Sequence, residues 1–383
     1  MFLINPMKSS AIQQLLLIIF LAVGALASNS ATPSVAMNFE QQGKFAEAAE
    51  VWRQIAKDDP ADAGAFASLG VDLSRQAKYA EAASAYKKAL ALNSHLPGIE
   101  LNLGLAEFKQ GHFASAIPAL KASLKADPSS VQARTLLGMS CYGSQRFSEA
   151  IAYLEPLVDL QPENIELRQT LAQSCLAARN YTCAAEQFQK IVRQNPDSAA
   201  AHILTGEALD GLQQTDQAIA EFKDAIKISP REPQLHFGLG YLYWKSHRYD
   251  DAKKQFEEEL SISPAHAQSL AYLGDIELKS EHLESAASLL EKSVQQSKDI
   301  RIAYLDLGEI RARKGQYPEA IKAYAHAAEL DPTQPDAHFR LARMYQKTGQ
   351  AEKAKAEFAK TRELHQKSDA AVVLQLGAPH PTP

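Results

Sequence analysis

Three cysteines, two tryptophans and no block of like charge mark what this 383-residue chain has little of. Cys141, Cys175 and Cys183 are too few for a disulfide framework and too irregularly spaced for a zinc site, so no metal is expected. A bridge from Cys175 to Cys183 across a helix turn is open in an oxidising compartment, but the reading adopted for all three is that of small buried apolar residues. Forty basic against 45 acidic residues give a net charge of -5. That excludes the basic footprint needed for nucleic acid or an anionic membrane surface. No GxxxxGK phosphate loop, HExxH zinc helix or GxSxG nucleophile elbow occurs, and no nucleophile and base stand out as a pair. Neither a cofactor nor a catalytic role is expected.

Long apolar runs are scarce too, and the one at Leu15–Ala27 sits behind a lone Lys8. It is shorter than the ~20 residues of a membrane span, and it ends in the small-x-small pattern Ala25-Leu26-Ala27. Residues 1–27 therefore read as a secretory signal cleaved after Ala27, leaving no membrane insertion in the mature chain. The other reading is an uncleaved anchor helix, lengthened by residues 11–14. No cysteine stands at the cleavage site to carry a lipid, and in either reading the remainder is exported to a periplasm or secreted.

What the chain has in abundance is repetition. From Asn29 to Ser368 it divides without insertion into ten units of 34 residues: 29–62, 63–96, 97–130, 131–164, 165–198, 199–232, 233–266, 267–300, 301–334 and 335–368. The eighth position of every unit is Gly or Ala, and the twentieth is Ala in all ten, from Ala48 to Ala354. The seventh is Leu in eight units, the seventeenth is mostly Phe or Tyr, and the thirty-second is Pro in seven. Two antiparallel helices approach closely only where facing side chains are small, so the eighth and twentieth positions mark the crossing and the large residues fill its flanks. Apolar residues at the fourth, seventh, eighth and eleventh positions make one helical stripe, and those at the twentieth, twenty-fourth and twenty-seventh make a second. Each unit predicts a helical hairpin, closed by the late proline.

This pattern resembles the tetratricopeptide repeat family over positions 29–368. The resemblance implies an all-α solenoid, a right-handed superhelix of ten helix-turn-helix hairpins whose first helices line a concave groove that binds peptides or protein segments. Departures are local: Thr205 at a seventh position, Lys298 and Gln366 in place of proline, and Glu259 where a small residue is usual. Pro156 lies well inside a second helix, where a lost hydrogen bond and a clash cost roughly 3 kcal/mol unless the helix bends, so a kink is expected there. Beyond the repeats, residues 369–383 read as a partly disordered tail whose VVLQL stretch caps the last hairpin.

Within this frame Tyr243 takes an eleventh, core-facing position, whereas Tyr241 and Trp244 take the ninth and twelfth, which point toward the groove. Twelfth positions from the third to the eighth unit are Phe108, Tyr142, Leu176, Asp210, Trp244 and Leu278, a mainly apolar ladder with rungs about 10 Å apart. Fifth and ninth positions add Leu101, Leu105, Met139, Ile203 and Phe237. The partner-binding candidates are accordingly Leu101, Leu105, Phe108, Met139 and Tyr142 in one cluster and Phe237, Tyr241 and Trp244 in another. Exposed apolar patches and aromatic residues mark interaction sites, although the same side chains would also serve to pack adjoining first helices. His202, His236 and His338 share the fourth position one helix spacing or more apart, too far to share a metal. The expected function is a non-catalytic interaction scaffold of the cell envelope; a holdase-like chaperone for exported clients is the alternative, and an enzyme built on the superhelix a third.

Overall fold

A computed structural model describes the backbone of residues 31–377 and the side chains as far as Lys367. The signal segment and its cleavage point lie outside the described residues. Twenty α-helices and no strand are found among the described residues. They fall two to each 34-residue unit, so the predicted all-α hairpin solenoid is what the chain forms. No helix among the described residues is long and apolar enough to cross a membrane.

The chain divides into two compact units, one ending at Gln187 and the other starting at Phe188. In the first run α1 (Pro33–Gln41), α2 (Phe45–Asp58), α3 (Ala63–Arg75), α4 (Tyr79–Leu92), α5 (Ile99–Lys109), α6 (Phe113–Ala126), α7 (Val131–Gly143), α8 (Phe147–Val158), α9 (Ile165–Ala177) and the start of α10 (Tyr181–Gln194). The second holds α11 (Ala199–Gly211), α12 (Thr215–Ile228), α13 (Leu235–Lys245), α14 (Tyr249–Ile262), α15 (Ala267–Lys279), α16 (Leu283–Gln296), α17 (Arg301–Arg313), α18 (Tyr317–Leu330), α19 (Pro335–Lys347) and α20 (Ala351–Gly377).

Small residues do set the crossing within each hairpin. A Cβ built on Gly274 would come within 2.6 Å of Leu290, and one on Gly308 within 2.6 Å of Tyr324. In each case the eighth-position glycine receives the twenty-fourth-position side chain of the same unit. The twentieth-position alanines are fully buried in nine units, and Ala354 keeps 5% exposure. Two residues past the end of the first helix of every hairpin stands a fifteenth-position residue in the left-handed region, four times Gly and six times another residue, from Ala77 to Glu281. The N–H that follows returns to the eleventh-position carbonyl, as from Lys78 to Leu73 at 2.9 Å and from Arg248 to Tyr243 at 2.9 Å. This closes the helix end. Asp62, Ser130, Asn164 and Ser198 cap the following helices from the thirty-fourth position.

Besides α1, which opens at Pro33, two first helices start late. Pro97 and Pro233 open their units, and α5 and α13 begin only after Gly98 and Gln234, each in the left-handed region. Glu259, fully buried, explains its own departure from the repeat: its carboxylate accepts from the N–H of Gln234 at 2.9 Å and of Phe237 at 3.3 Å, capping the N-terminus of α13.

Other departures also acquire physical reasons. The α8 helix runs through Pro156 and stops at Val158 after 12 residues, where its counterpart α6 has 14. The carbonyl of Val158 is taken up by Arg168, which is 4% exposed and also donates to Gln187 at 2.7 Å. Cys175 and Cys183 are joined as a disulfide rather than buried as separate thiols, because the eleventh and nineteenth positions face each other across one hairpin with Cα atoms 5.8 Å apart. Cys141 stays a buried thiol whose pKa burial pushes up to about 11. The tail departs from expectation as well: α20 continues without a break to Gly377, since Gln366 replaces the proline that would end it. A capping role for the VVLQL side chains lies outside the described side chains.

Candidate functional site

The clearest concentration of half-buried aromatic rings is in the second unit, around α13. Tyr243 is 4% exposed and belongs to the hairpin core, with the Arg248 guanidinium 4.5 Å from its ring centre. Phe237, Tyr241 and Trp244 are half-buried on the other face. Their common neighbour is Tyr272 of α15, a sixth-position residue that the ladder of twelfth positions misses. Its ring lies 6.0 Å from Phe237, 5.6 Å from Tyr241 and 4.8 Å from Trp244. It also stacks on Phe256 at 5.6 Å. Burial pushes the Tyr272 hydroxyl pKa up.

Trp244 is more committed than its frame position suggests. Its indole N–H donates to Asp275 at 2.6 Å, and its ring stacks on Tyr241 at 6.0 Å. Asp275 is 4% exposed and is bonded by Lys279, whose ammonium also sits 5.6 Å over the indole ring. Beside it Asp306 is buried with one oxygen lacking a partner; burial first, and then repulsion from Asp275, hold its pKa well up. The Trp244 side chain is thus tied into the next repeat while it stays half-exposed.

Tyr241 stands between two clefts. The first, of about 430 Å³, opens between α11 and α13 and is lined by Ile203, Glu207, Asp210, Phe222, Phe237 and Tyr241. The late start of α13 lies at the rim of this cleft, and Gly238 lets the Phe222 ring pack against the α13 backbone: a Cβ there would run into Phe222, whose Cζ lies 3.0 Å away. The second, of about 440 Å³, has Tyr241, Trp244 and Tyr272 on one side and Arg301, paired with Asp336, on the other.

In the first unit Leu101, Leu105, Phe108, Met139 and Tyr142 are all half-buried. Phe108 meets Phe113 edge-on at 5.4 Å, and the Tyr142 hydroxyl donates to Gln173 at 2.9 Å. Leu105 lines a cleft of about 470 Å³ together with Val71, Tyr79 and Lys109.

The fourth-position histidines are structural staples. His202 bonds Glu221 at 2.6 Å and the Pro196 carbonyl at 3.0 Å, His236 repeats the arrangement with Gln255 and Pro230, and His338 meets Glu357 at 2.7 Å. No metal-holding group of His, Cys, Asp and Glu is found among the described residues.

Comparison with known proteins follows the same repeats. Profiles described as Tetratricopeptide repeat match residues 36–97, 101–165, 142–208, 237–299 and 336–368, and one described as TPR repeat matches 211–246 and 308–349. No curated protein matches the chain. Among solved structures, the APC/C hetero-tetramer Cut9-Hcn1 aligns over 86% of this chain and 86% of its own, at 13% identity and a TM-score of 0.50. That likeness concerns the fold alone. Yeast Tom70 aligns over 89% of this chain and 95% of its own at 16% identity and a TM-score of 0.42. YrrB, a TPR protein with an unusual peptide-binding site, aligns over 50% of this chain and 99% of its own at 24% identity and a TM-score of 0.37.

Proposed function

The chain belongs to the tetratricopeptide repeat family, and we propose that it is an exported, non-catalytic scaffold that holds a segment of a partner protein against the groove-facing sides of its first helices. The observation that carries this reading is the Tyr241 ridge: half-buried aromatic rings with an open cleft on either side, of about 430 and 440 Å³. Concave apolar sites with a few polar groups are where ligands bury surface, and aromatic anchors dominate their energetics. The set Leu101, Leu105, Phe108, Met139 and Tyr142 is the corresponding surface of the first unit. Export is supported by the Leu15–Ala27 run and by the Cys175–Cys183 disulfide, which belongs in an oxidising compartment.

The test is site-specific photocrosslinking in the native cell envelope followed by mass spectrometry. A benzoylphenylalanine at Tyr241 or Leu105 should capture a defined partner, while one at the exposed Glu258 of α14 should not. Equal capture from all three positions, or capture from Glu258 alone, overturns the groove reading.

A further inference from the structure

The cleft between α11 and α13 is apolar in its walls and negative at its edges. Glu207 and Asp210 come from α11 and Glu232 from the turn before α13. Asp210 is answered by Lys245 at 2.7 Å. The side chains of Glu207 and Glu232 make no hydrogen bond or ion pair among the described residues. Three carboxylates against one ammonium leave the cleft an excess of about two negative charges, beside the half-buried rings of Phe237 and Tyr241. Carboxylate and aromatic face are the two groups that attract an organic cation, the first by charge and the second by its quadrupole.

We infer that this cleft receives a lysine or arginine side chain of the bound protein segment, with a neighbouring large apolar residue of that segment packed against Tyr241. The inference rests on the reading of the groove as a protein-binding surface and names the partner's chemistry there. Glu207 is open to solvent, yet the protein around it is enough for desolvation to push its pKa up. A carboxylate in that state gains from an incoming cation. An extended segment suits the site better than a small free amine, because Tyr241 is shared with the second cleft and a chain lying over this ridge enters both.

The experiment selects a phage-displayed library of random dodecapeptides on the full chain and measures the recovered peptides on Glu207→Gln, Glu207→Lys and Tyr241→Ala. Glu207 has no partner to lose, so Glu207→Gln should melt like the parent. The expected result is a selected motif with Lys or Arg beside an aromatic or large aliphatic residue, weakened about tenfold by Glu207→Gln and by rising salt. Peptides that lose affinity on Tyr241→Ala but not on Glu207→Gln, or that are enriched in acidic residues, overturn the cation inference and leave the groove reading standing. Peptides indifferent to all three substitutions overturn both. Should sedimentation of the full chain show a dimer that Glu207→Lys dissociates, the occupant is a second copy and the inference fails.

Discussion

Replacing Trp244 by Phe should destabilise the second unit although it removes only the indole edge. The indole N–H is the 2.6 Å donor to Asp275, and Asp275 is 4% exposed. Without it, a buried carboxylate oxygen keeps its desolvation cost and loses its partner, worth about 1.5–3 kcal/mol for a bond to a charged group. Trp244→Ala should cost more, because the stack on Tyr241 and the edge contact with Tyr272 go as well; aromatic pairs of this kind contribute about 0.5–1.5 kcal/mol each. Tyr243→Ala, at a buried ring, sets the upper reference at about 3–5 kcal/mol. The assay is hydrogen exchange across α13 and α15 together with urea unfolding, since stacked repeats open locally and one melting temperature blurs the result. A double-mutant cycle with Asp275→Ala then isolates the bond: coupling of about 1 kcal/mol or more is expected. If Trp244→Phe exchanges and unfolds like the parent, the hydrogen bond carries no stability, and the indole is held for a partner alone.

Ala77 occupies the left-handed region at φ 58 and is exposed, so Ala77→Gly should raise stability by about 0.5–1 kcal/mol, and Gly111→Ala at φ 74 should lower it; unchanged urea midpoints for both would refute the strain argument. Asp72 is 1% exposed with one oxygen unpartnered; burial and then Glu40 raise its pKa from 3.8 to about 7, while Arg75 opposes them. The folded state therefore holds the extra proton between those values, so stability falls as pH rises from about 4 through 7, and Asp72→Asn should flatten the profile measured by urea unfolding. Reducing the Cys175–Cys183 bridge should cost about 2–3 kcal/mol, read as faster exchange in α9 with α13 unaffected; equal change in both helices would contradict a local staple. The mature chain should begin at Ser28 and appear in the soluble exported fraction by N-terminal sequencing, and an intact Met1 in membranes would refute cleavage.

The hairpins were legible because their determinant is short-range and repeated ten times. An eighth-position glycine and its twenty-fourth-position partner lie 16 residues apart inside one unit, as Gly274 and Leu290 do, and ten alanines at the twentieth position leave little room for another register. Tyr243 as core follows from the same frame. The left-handed fifteenth position was not legible, because only four of its ten residues are glycine and the other six share no side-chain chemistry. What they share is a place in the backbone, fixed by the hairpin that forms around them.

The candidate residues were legible as positions in the repeat and not in their connections, for a different reason. Contacts between successive first helices join residues 31 apart, and no single position reveals them. Trp244 to Asp275, Tyr142 to Gln173 and Arg340 to Glu309 all have that separation. Two of the three join a twelfth position to a ninth. A search for donors and acceptors 31 residues apart would have found the partner of Trp244 from the sequence. The cleft beside Tyr241 would have escaped that search too, because it depends on the late start of α13 behind Pro233 and on Gly238 letting Phe222 pack against the helix backbone. Glu207 then acquires its character from position alone, as a ninth-position carboxylate beside a gap instead of beside a cation. The same residue type at Glu309, also a ninth position, is occupied by Arg313 and Arg340, and its pKa is lowered where that of Glu207 is raised. The difference between the two carboxylates thus lies in two places, the residue four further along the same helix, Arg313 against Gly211, and the neighbouring repeat's sixth position, Arg340 against Gly238.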